Sequence, residues 1–220
     1  MNNFFDLLKE TYRGKTIGRI LFNWKIKENA NDLSGIAVDL GGGKDASYWR
    51  YINKKPEKII RVDINPEAKP DILADINKPL PFPDRFADVV FLFNVIYIAE
   101  NPGQLLKESA RILKPGGRLF IGSPFIFNEA KEPADYWRLT SSALDKLLKE
   151  AGFDKITIEP IGERFSAAVY LISLFLFFWP IKFVFYSTAI FLDKLIPKKL
   201  KLRYPAPIGY FVIAKNKQWT

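Results

Sequence analysis

The chain has 220 residues, a net charge of +9, and neither cysteine nor histidine. The length suits one domain with a full hydrophobic core. The composition excludes disulfides, thiolate nucleophiles and histidine-based catalysis, so an enzyme would act through Asp, Glu, Tyr, Lys or positioning alone. We predict no metal site.

The positive charge is concentrated towards the end of the sequence. Residues 164–220 contain nine lysines and arginines and one acidic residue, whereas residues 36–163 contain 18 basic and 19 acidic residues. A nucleic-acid-binding protein more often carries its basic charge around a cleft, so nucleic acid is an unlikely partner. Asp6, Lys9 and Glu10 interrupt the first apolar cluster, which predicts no secretory signal and a cytoplasmic location.

Residues 1–35 form a predicted N-terminal helical segment. Phe4, Leu7 and Leu8 share one helix face, and the apolar residues between Ile17 and Trp24 share another. This pattern favours a pair of helices packed on the sheet over a substrate lid.

A glycine-rich turn follows an apolar run that begins at Ile36. The run contains Asp39, the turn contains Gly41, Gly42 and Gly43, and residues 46–53 are a predicted helix. Strand, glycine turn and helix together are typical of a nucleotide cradle in an α/β fold. The turn fits the dinucleotide fingerprint of dehydrogenases and also most of the Asp-x-Gly-x-Gly motif of S-adenosylmethionine (SAM) enzymes.

Strands and helices then alternate, which predicts a parallel, doubly wound sheet. The predicted strands are Ile36–Asp39, Lys58–Asp63, Asp71–Asp75, Ala87–Asn94, Arg118–Gly122, Lys155–Glu159 and Tyr210–Ala214. A predicted helix runs from Pro102 to Leu113, with Pro115-Gly116-Gly117 as its stop. A second is capped by Thr140 and runs to Ala151.

Five motifs occur in order along this segment, and together they resemble the class I SAM-dependent methyltransferases of the type 11 family. The motifs are Asp39-Leu40-Gly41-Gly42-Gly43, Val62-Asp63, Ala74-Asp75-Ile76, residues 81–90 (PFPDRFADVV) and residues 113–119 (LKPGGRL). The resemblance covers about residues 35–160 and resumes at the last strand. It implies a Rossmann-like α/β fold with a seven-stranded sheet of order 3-2-1-4-5-7-6, helices on both faces and an antiparallel last strand.

The resemblance also implies SAM as the cofactor. Asp39 would lie near the ammonium of its methionine part, Asp63 would accept both ribose hydroxyls, and Asp75 would accept from the adenine amino group. Asn94 and Val95 would face the methyl donor. The complete implied cofactor set is Asp39, Gly41, Gly42, Gly43, Asp63, Ile64, Asp75, Ile76, Asn94 and Val95.

Two positions depart from the family pattern. Asp45 replaces the third glycine of the turn, and Tyr97-Ile98 stands where many relatives have Glu-His. The second departure keeps open a SAM-fold binding module without turnover. An NAD dehydrogenase is a further alternative, which the Pro-Gly-Gly turn and Asp75-Ile76 disfavour.

No catalytic residue follows from the sequence, but three residues are candidates: Asn94, Tyr136 and Arg138. Tyr136 and Arg138 follow the fifth strand, on the edge where α/β folds bind ligands. An aromatic ring beside an arginine could bind a sugar or an anionic headgroup, and a loop packed by its own aromatic residues is an equal reading.

The most unusual segment is an apolar, helical insertion at residues 164–204, before the last strand. Ten of the 33 aromatic residues lie between Phe165 and Leu192, and five cations follow Leu192. A shallow helical hairpin that bends at Trp179 and Pro180, with cations facing anionic headgroups, fits this pattern. A hydrophobic cover or a dimer face is the alternative.

We therefore divide the chain into residues 1–35 and a SAM-binding domain at residues 36–220. The predicted function is methyl transfer to an acceptor that is lipid-linked or presented at the inner face of the membrane, with residues 165–203 on the membrane surface. The alternative is methylation of a soluble metabolite, with the insertion as a dimer interface. The acceptor and the oligomeric state stay open.

Overall fold

A computed structural model describes residues 2–44, 46–130 and 134–217, with backbone only at Asn2 and Asn3. Asp45 lies outside the described residues. Seven strands form one sheet of order β3-β2-β1-β4-β5-β7-β6. The strands are β1 Ile36–Leu40, β2 Lys58–Asp63, β3 Ile72–Leu73, β4 Ala87–Phe93, β5 Leu113–Pro124, β6 Phe153–Ile161 and β7 Gly209–Asn216.

The sheet has the predicted order and strand directions. The pairs β1–β2, β1–β4, β2–β3 and β4–β5 are parallel, and β7 pairs antiparallel with both β5 and β6. The carboxyl ends of β1, β2, β3 and β4 consequently meet at one edge, where parallel α/β sheets bind their ligands. The α/β, Rossmann-like fold class predicted from the sequence is confirmed.

Seven α-helices are described within these residues: α1 Asn2–Tyr12, α2 Ile17–Asn29, α3 Pro102–Ile112, α4 Ser141–Glu150, α5 Arg164–Ile172, α6 Trp179–Leu195 and α7 Lys198–Arg203. Four of them begin with a side-chain cap: Thr16, Asn101 and Thr140 each accept a bond from the backbone amide three residues on, and Glu163 accepts the amide of Arg164. One core cluster lies under α3 and α4, and a second lies under α2 on the opposite face of the sheet.

The segment after the glycine turn differs from the prediction. Residues 46–53 were expected to form an α-helix, but only a 3₁₀ helix at Ser47–Tyr51 is present. The buried side chains of Tyr48 and Trp49 direct this short turn into the second core cluster. That face of the sheet is covered mainly by α2, which comes from the N-terminal segment.

Two further boundaries were predicted wrongly. Helix α3 ends at Ile112, before Pro115-Gly116-Gly117, because Leu113 already pairs with Ala87 as the first residue of β5. The Pro-Gly-Gly sequence lies in the irregularity of this pairing, between the partners of Ala87 and Val89. The predicted third strand, Asp71–Asp75, shortens to two residues at the sheet edge.

The apolar insertion is helical, and it packs on the N-terminal helices. Its bend lies at residues 176–178, so Trp179 and Pro180 form the first turn of α6 and do not mark the bend itself. Edge-to-face ring pairs join α1 to α6, with centroids 5.4 Å apart for both Phe4–Phe183 and Tyr12–Trp179. A third core cluster contains residues from α1, α2, α5 and α6.

One buried carboxylate holds α5 against α6. Asp193, near the end of α6, accepts bonds from the backbone amides of Glu163 at 3.0 Å, Phe165 at 2.9 Å and Ser166 at 3.2 Å. These amides lie at the start of α5, where backbone N–H groups have no carbonyl partner within the helix. The helix dipole also favours a negative charge at this end. Asp193 therefore acts as a helix cap supplied from a neighbouring helix.

We expect Asp193→Ala to lower the free energy of unfolding by about 2–3 kcal/mol, because it leaves buried amides unpaired. Asp145→Ala, which removes an exposed pair with Lys149, should cost at most about 0.5 kcal/mol. Urea unfolding of both variants measures the difference. Equal losses would show that Asp193 does not fasten the insertion.

Candidate active site

The tip of β1 is shaped by two glycines that no other residue could replace without strain. Gly41 has φ +72°, and a Cβ there would lie 2.3 Å from Val95. A Cβ on Gly42 would lie 2.1 Å from the carboxylate of Asp39. The turn therefore folds closely over Asp39 and leaves the backbone near the adjoining cavity.

Asp39 is fully buried beneath this turn. Its Oδ2 accepts bonds from the hydroxyl of Tyr48 and, at 3.2 Å, from the indole N–H of Trp49. Its Oδ1 has no hydrogen-bond partner among the described residues. Burial raises the pKa of Asp39 to about 7, although the bonds from Tyr48 and Trp49 oppose the shift. An unpaired buried oxygen can accept a bond from a bound cation such as an ammonium.

Two further carboxylates lie at the end of β2 and shortly after β3. Asp63 Oδ1 accepts the amide of Asn65 at 2.8 Å, and Asp75 Oδ1 accepts the amide of Asn77 at 2.9 Å. Each carboxylate is fixed in a tight turn. Within the described residues, the second oxygen of each accepts no bond from the protein and is available to a ligand's hydroxyl or amino group.

One cavity of about 680 Å³ brings most of the predicted cofactor residues together. This volume is in the range of cofactor sites, about 300–1,000 Å³. Predicted residues in its lining are Gly41, Asp63, Ile64, Asp75, Ile76, Asn94, Val95 and Tyr136. Asp39 and Gly42 are not part of this lining, because Asp39 is buried under the turn and Gly42 lies in the turn directly over it, while Gly43 packs against Ala68. Sequence reasoning missed Asn65, Asn77, Ile98 and Glu100, which also line the cavity.

Asn94 lies at the tip of β4 in a left-handed conformation, with φ +57°. Asparagine tolerates this conformation better than most residues. The backbone N–H of Asn94 donates to the carbonyl of Gly122 at 2.9 Å. Its side chain lines the large cavity and also a second cavity of about 270 Å³. Asn94 therefore stands between two spaces at the carboxyl edge of the sheet.

The segment after β5 places Tyr136 and Arg138 differently. The amides of Tyr136 and Trp137 donate to the carbonyl of Tyr97, and the Tyr136 ring reaches the large cavity. Arg138 instead forms a two-point ion pair with Asp135 and lies 5.7 Å from the ring centroid of Tyr97. The hydrogen bond from Arg138 lowers the pKa of Asp135. Arg138 is therefore occupied in holding the loop.

Comparison with known proteins agrees with this geometry. The sequence profile of the family described as "Methyltransferase domain" matches residues 38–121. An uncharacterized protein of Methanocaldococcus jannaschii is 31% identical over 177 residues, which are 70% of this chain and 82% of that protein. A tRNA U34 carboxymethyltransferase of Campylobacter curvus is 31% identical over 109 residues, but the match covers only 37% of its length and 43% of this chain.

A SAM-dependent methyltransferase structure from Archaeoglobus fulgidus aligns with a TM-score of 0.59, covering 90% of this chain and 94% of that one at 19% identity. At that identity the likeness shows the fold alone. The sheet order, the cradle and the sequence matches define a class I methyltransferase fold with a nucleoside-sized site. The chain belongs to the SAM-dependent methyltransferase family, whose cofactor is SAM.

If Asp63 accepts the ribose hydroxyls as the family resemblance implies, Asp63→Ala should weaken SAM binding about ten- to a hundredfold, because charged hydrogen bonds of this kind are worth about 1.5–3 kcal/mol. Titration calorimetry measures the affinity, with Asp145→Ala as a control distant from the cavity. A folded Asp63→Ala protein with unchanged SAM affinity would contradict the assignment, and tight binding of NAD in place of SAM would favour a dehydrogenase.

The raised pKa of Asp39 predicts two effects of pH. Between about pH 4 and 7 the native protein holds a proton that the unfolded chain has lost, so stability should fall as pH rises through this window. An ammonium beside Asp39 favours the carboxylate, so SAM binding at pH 6 should release a proton and SAM affinity should rise between pH 5 and 7.

Calorimetry in buffers of different ionisation enthalpy measures this proton release. The chain has no histidine, which keeps the window clear of the usual titrating group. Asp39→Asn should abolish the release. Equal release in wild type and variant would assign the proton to another group.

Proposed function

We propose that this protein is a SAM-dependent methyltransferase that binds a membrane surface and methylates an acceptor presented there. The observation that supports the membrane part is the bend between α5 and α6. Phe175, Phe177 and Phe178 are 76%, 87% and 61% exposed at this bend. Exposing three phenylalanine rings within four residues to water is unfavourable, and such apolar patches mark interaction surfaces.

The exposed aromatic bend continues into a larger apolar surface, which we call the insertion face. Exposed apolar residues of this face are Leu171, Ile172, Leu174, Phe175, Phe177, Phe178, Ile181, Val184, Phe185, Phe191 and Leu195. The exposed residues Phe4, Phe5 and Tyr12 come from α1, which packs on α6. No helix within residues 2–44, 46–130 and 134–217 is long and apolar enough to cross a bilayer. Binding in the plane of one leaflet fits helices of this kind.

Cations adjoin the insertion face. Lys194, Lys198, Lys199, Lys201 and Arg203 follow on α6 and α7. Each basic residue close to an anionic membrane contributes about 1 kcal/mol to binding. A dimer interface would explain the apolar residues but gives no reason for a cationic border.

The insertion also reaches the second cavity, beside Asn94, through one residue of α5. Helix α5 begins three residues after β6 ends, and Tyr170 of α5 lines the second cavity next to Asn94. On the other side of α2, an apolar groove of about 530 Å³ includes Phe4, Trp24 and Phe191. Three lysines and three carboxylates also line it: Lys25, Lys194, Lys201, Glu28, Glu163 and Asp193. Its apolar walls suit an acyl chain, whereas its balanced charges select no anionic headgroup.

Methyl transfer from SAM requires mainly that the acceptor atom approaches the sulfonium in line. Positioning alone can supply about 7–11 kcal/mol of the barrier, so the absence of histidine is compatible with activity. Asn94 and Tyr136 are the residues we propose to face the acceptor. The tRNA-modifying relative supports a nucleic-acid acceptor only weakly, since residues 36–163 carry one more acidic than basic residue.

The protein should sediment with anionic vesicles and less with neutral ones, and high salt should weaken the binding. Phe175→Ser, Phe177→Ser and Phe178→Ser combined should lower the partition coefficient at least tenfold, because burying each ring contributes about 1.5–3 kcal/mol. Lys198→Gln with Lys199→Gln should weaken binding to anionic vesicles only.

The controls are Leu73→Ser, an exposed apolar residue of β3, and the α4 pair Lys146→Gln with Lys149→Gln. Wild-type protein with labelled SAM and a membrane extract should label a product that partitions into the organic phase, and Asp63→Ala should label much less of it when SAM is well below the Kd of the variant. The opposite outcome has two parts: the wild-type protein does not bind vesicles, and it is a dimer that the triple serine variant converts to a monomer. This result would assign the insertion face to an interface between two copies of the chain.

A further inference from the structure

The second cavity, beside Asn94, has features of an anion site. It lies between α2 and the ends of β4, β5 and β7, and has a volume of about 270 Å³. Arg19 is the one charged residue in its described lining. Within the described residues, the Arg19 side chain forms no ion pair or hydrogen bond, whereas Arg111 and Arg138 are both paired with carboxylates.

The position of Arg19 in its helix makes this lack of a partner more significant. It lies in the first turn of α2, where the helix dipole disfavours a cation. Partial burial removes water from the guanidinium and lowers the pKa of Arg19 from its ordinary value. An anion in the cavity would meet both the guanidinium and the positive end of α2, and would offset both costs.

A second, independent observation comes from β5. Ser123 is 2% exposed, and its hydroxyl has no hydrogen-bond partner among the described residues. Ser123 also lines the second cavity, to which α2 contributes Arg19. Buried hydroxyls are nearly always bonded, so an unpartnered one that lines a cavity is open to a polar atom of a ligand or to water.

We propose that this cavity binds a carboxylate or phosphate group through Arg19 and Ser123, next to Asn94 and the transferred methyl group. The inference rests on the proposed function, because it takes the large neighbouring cavity as the SAM site. Two sources supply this chemistry: the α-carboxylate of SAM itself, or an anionic group on the acceptor. A guanidinium binds either one by two parallel hydrogen bonds.

The test compares Arg19→Gln with Arg19→Lys, which keeps the charge, and with Arg50→Gln, an exposed arginine of the nearby 3₁₀ helix. Each protein is titrated with SAM, with decarboxylated SAM, and with inorganic phosphate after saturation with S-adenosylhomocysteine. Circular dichroism and urea unfolding check that each variant is folded. If Arg19→Gln does not fold, Arg19→Lys and Ser123→Ala carry the test through the same titrations.

If the SAM carboxylate occupies the cavity, Arg19→Gln should weaken SAM about ten- to a hundredfold and leave decarboxylated SAM unchanged. If an anionic group of the acceptor occupies the cavity, Arg19→Gln should leave the affinity for SAM unchanged and lower the affinity for phosphate at least tenfold. Ser123→Ala should weaken the same ligand about threefold to tenfold, and Arg50→Gln should change none.

The inference is overturned if Arg19→Gln binds all three ligands as the wild type does, or if Arg50→Gln loses as much as Arg19→Gln. Failure of the proposed function looks different, because it is seen in the wild type. A wild-type protein that does not bind SAM, or does not sediment with vesicles, refutes the cofactor or membrane assignment irrespective of Arg19.

Discussion

The buried carboxylate of Asp39 is the constraint on which the site depends. It lies under the glycine turn, and the side chains that satisfy one of its oxygens come from Tyr48 and Trp49 in the 3₁₀ helix that follows. Any side chain on Gly42 would collide with it. Asp39 therefore links the end of β1, the turn and the adjacent core, and burial leaves it with one unpartnered oxygen and a raised pKa.

The same turn explains how the two faces of the sheet differ. A short 3₁₀ helix leaves much of one face uncovered, and α2 from the N-terminal segment fills that place with Phe22 and Ile26. Once α2 lies there, its first turn borders the space beside Asn94 and brings Arg19 to it. The N-terminal helices and the insertion pack on one another, and Tyr170 of the insertion lines the same cavity beside Asn94.

The insertion combines firm attachment with an exposed apolar surface. Asp193 and the third core cluster fix α5 and α6 to the domain, so the exposed phenylalanines are not the product of a loosely packed segment. The proposed membrane binding rests on this exposed apolar surface and on the cationic segment that follows it.

The sequence alone indicated the alternation of strands and helices, the glycine cradle and the positions of Asp63 and Asp75, because apolar runs that end in carboxylates are local information. The sheet order followed only from the resemblance of five motifs to the methyltransferase family. It also showed that the insertion is apolar and followed by cations. Tertiary structure decided what depends on contacts distant in the sequence: the pairing of Leu113 with Ala87, the burial of Tyr48 and Trp49 on Asp39, and the bond network of Asp193. The lone position of Arg19 was likewise invisible in the sequence, since a missing partner is a property of the folded neighbourhood.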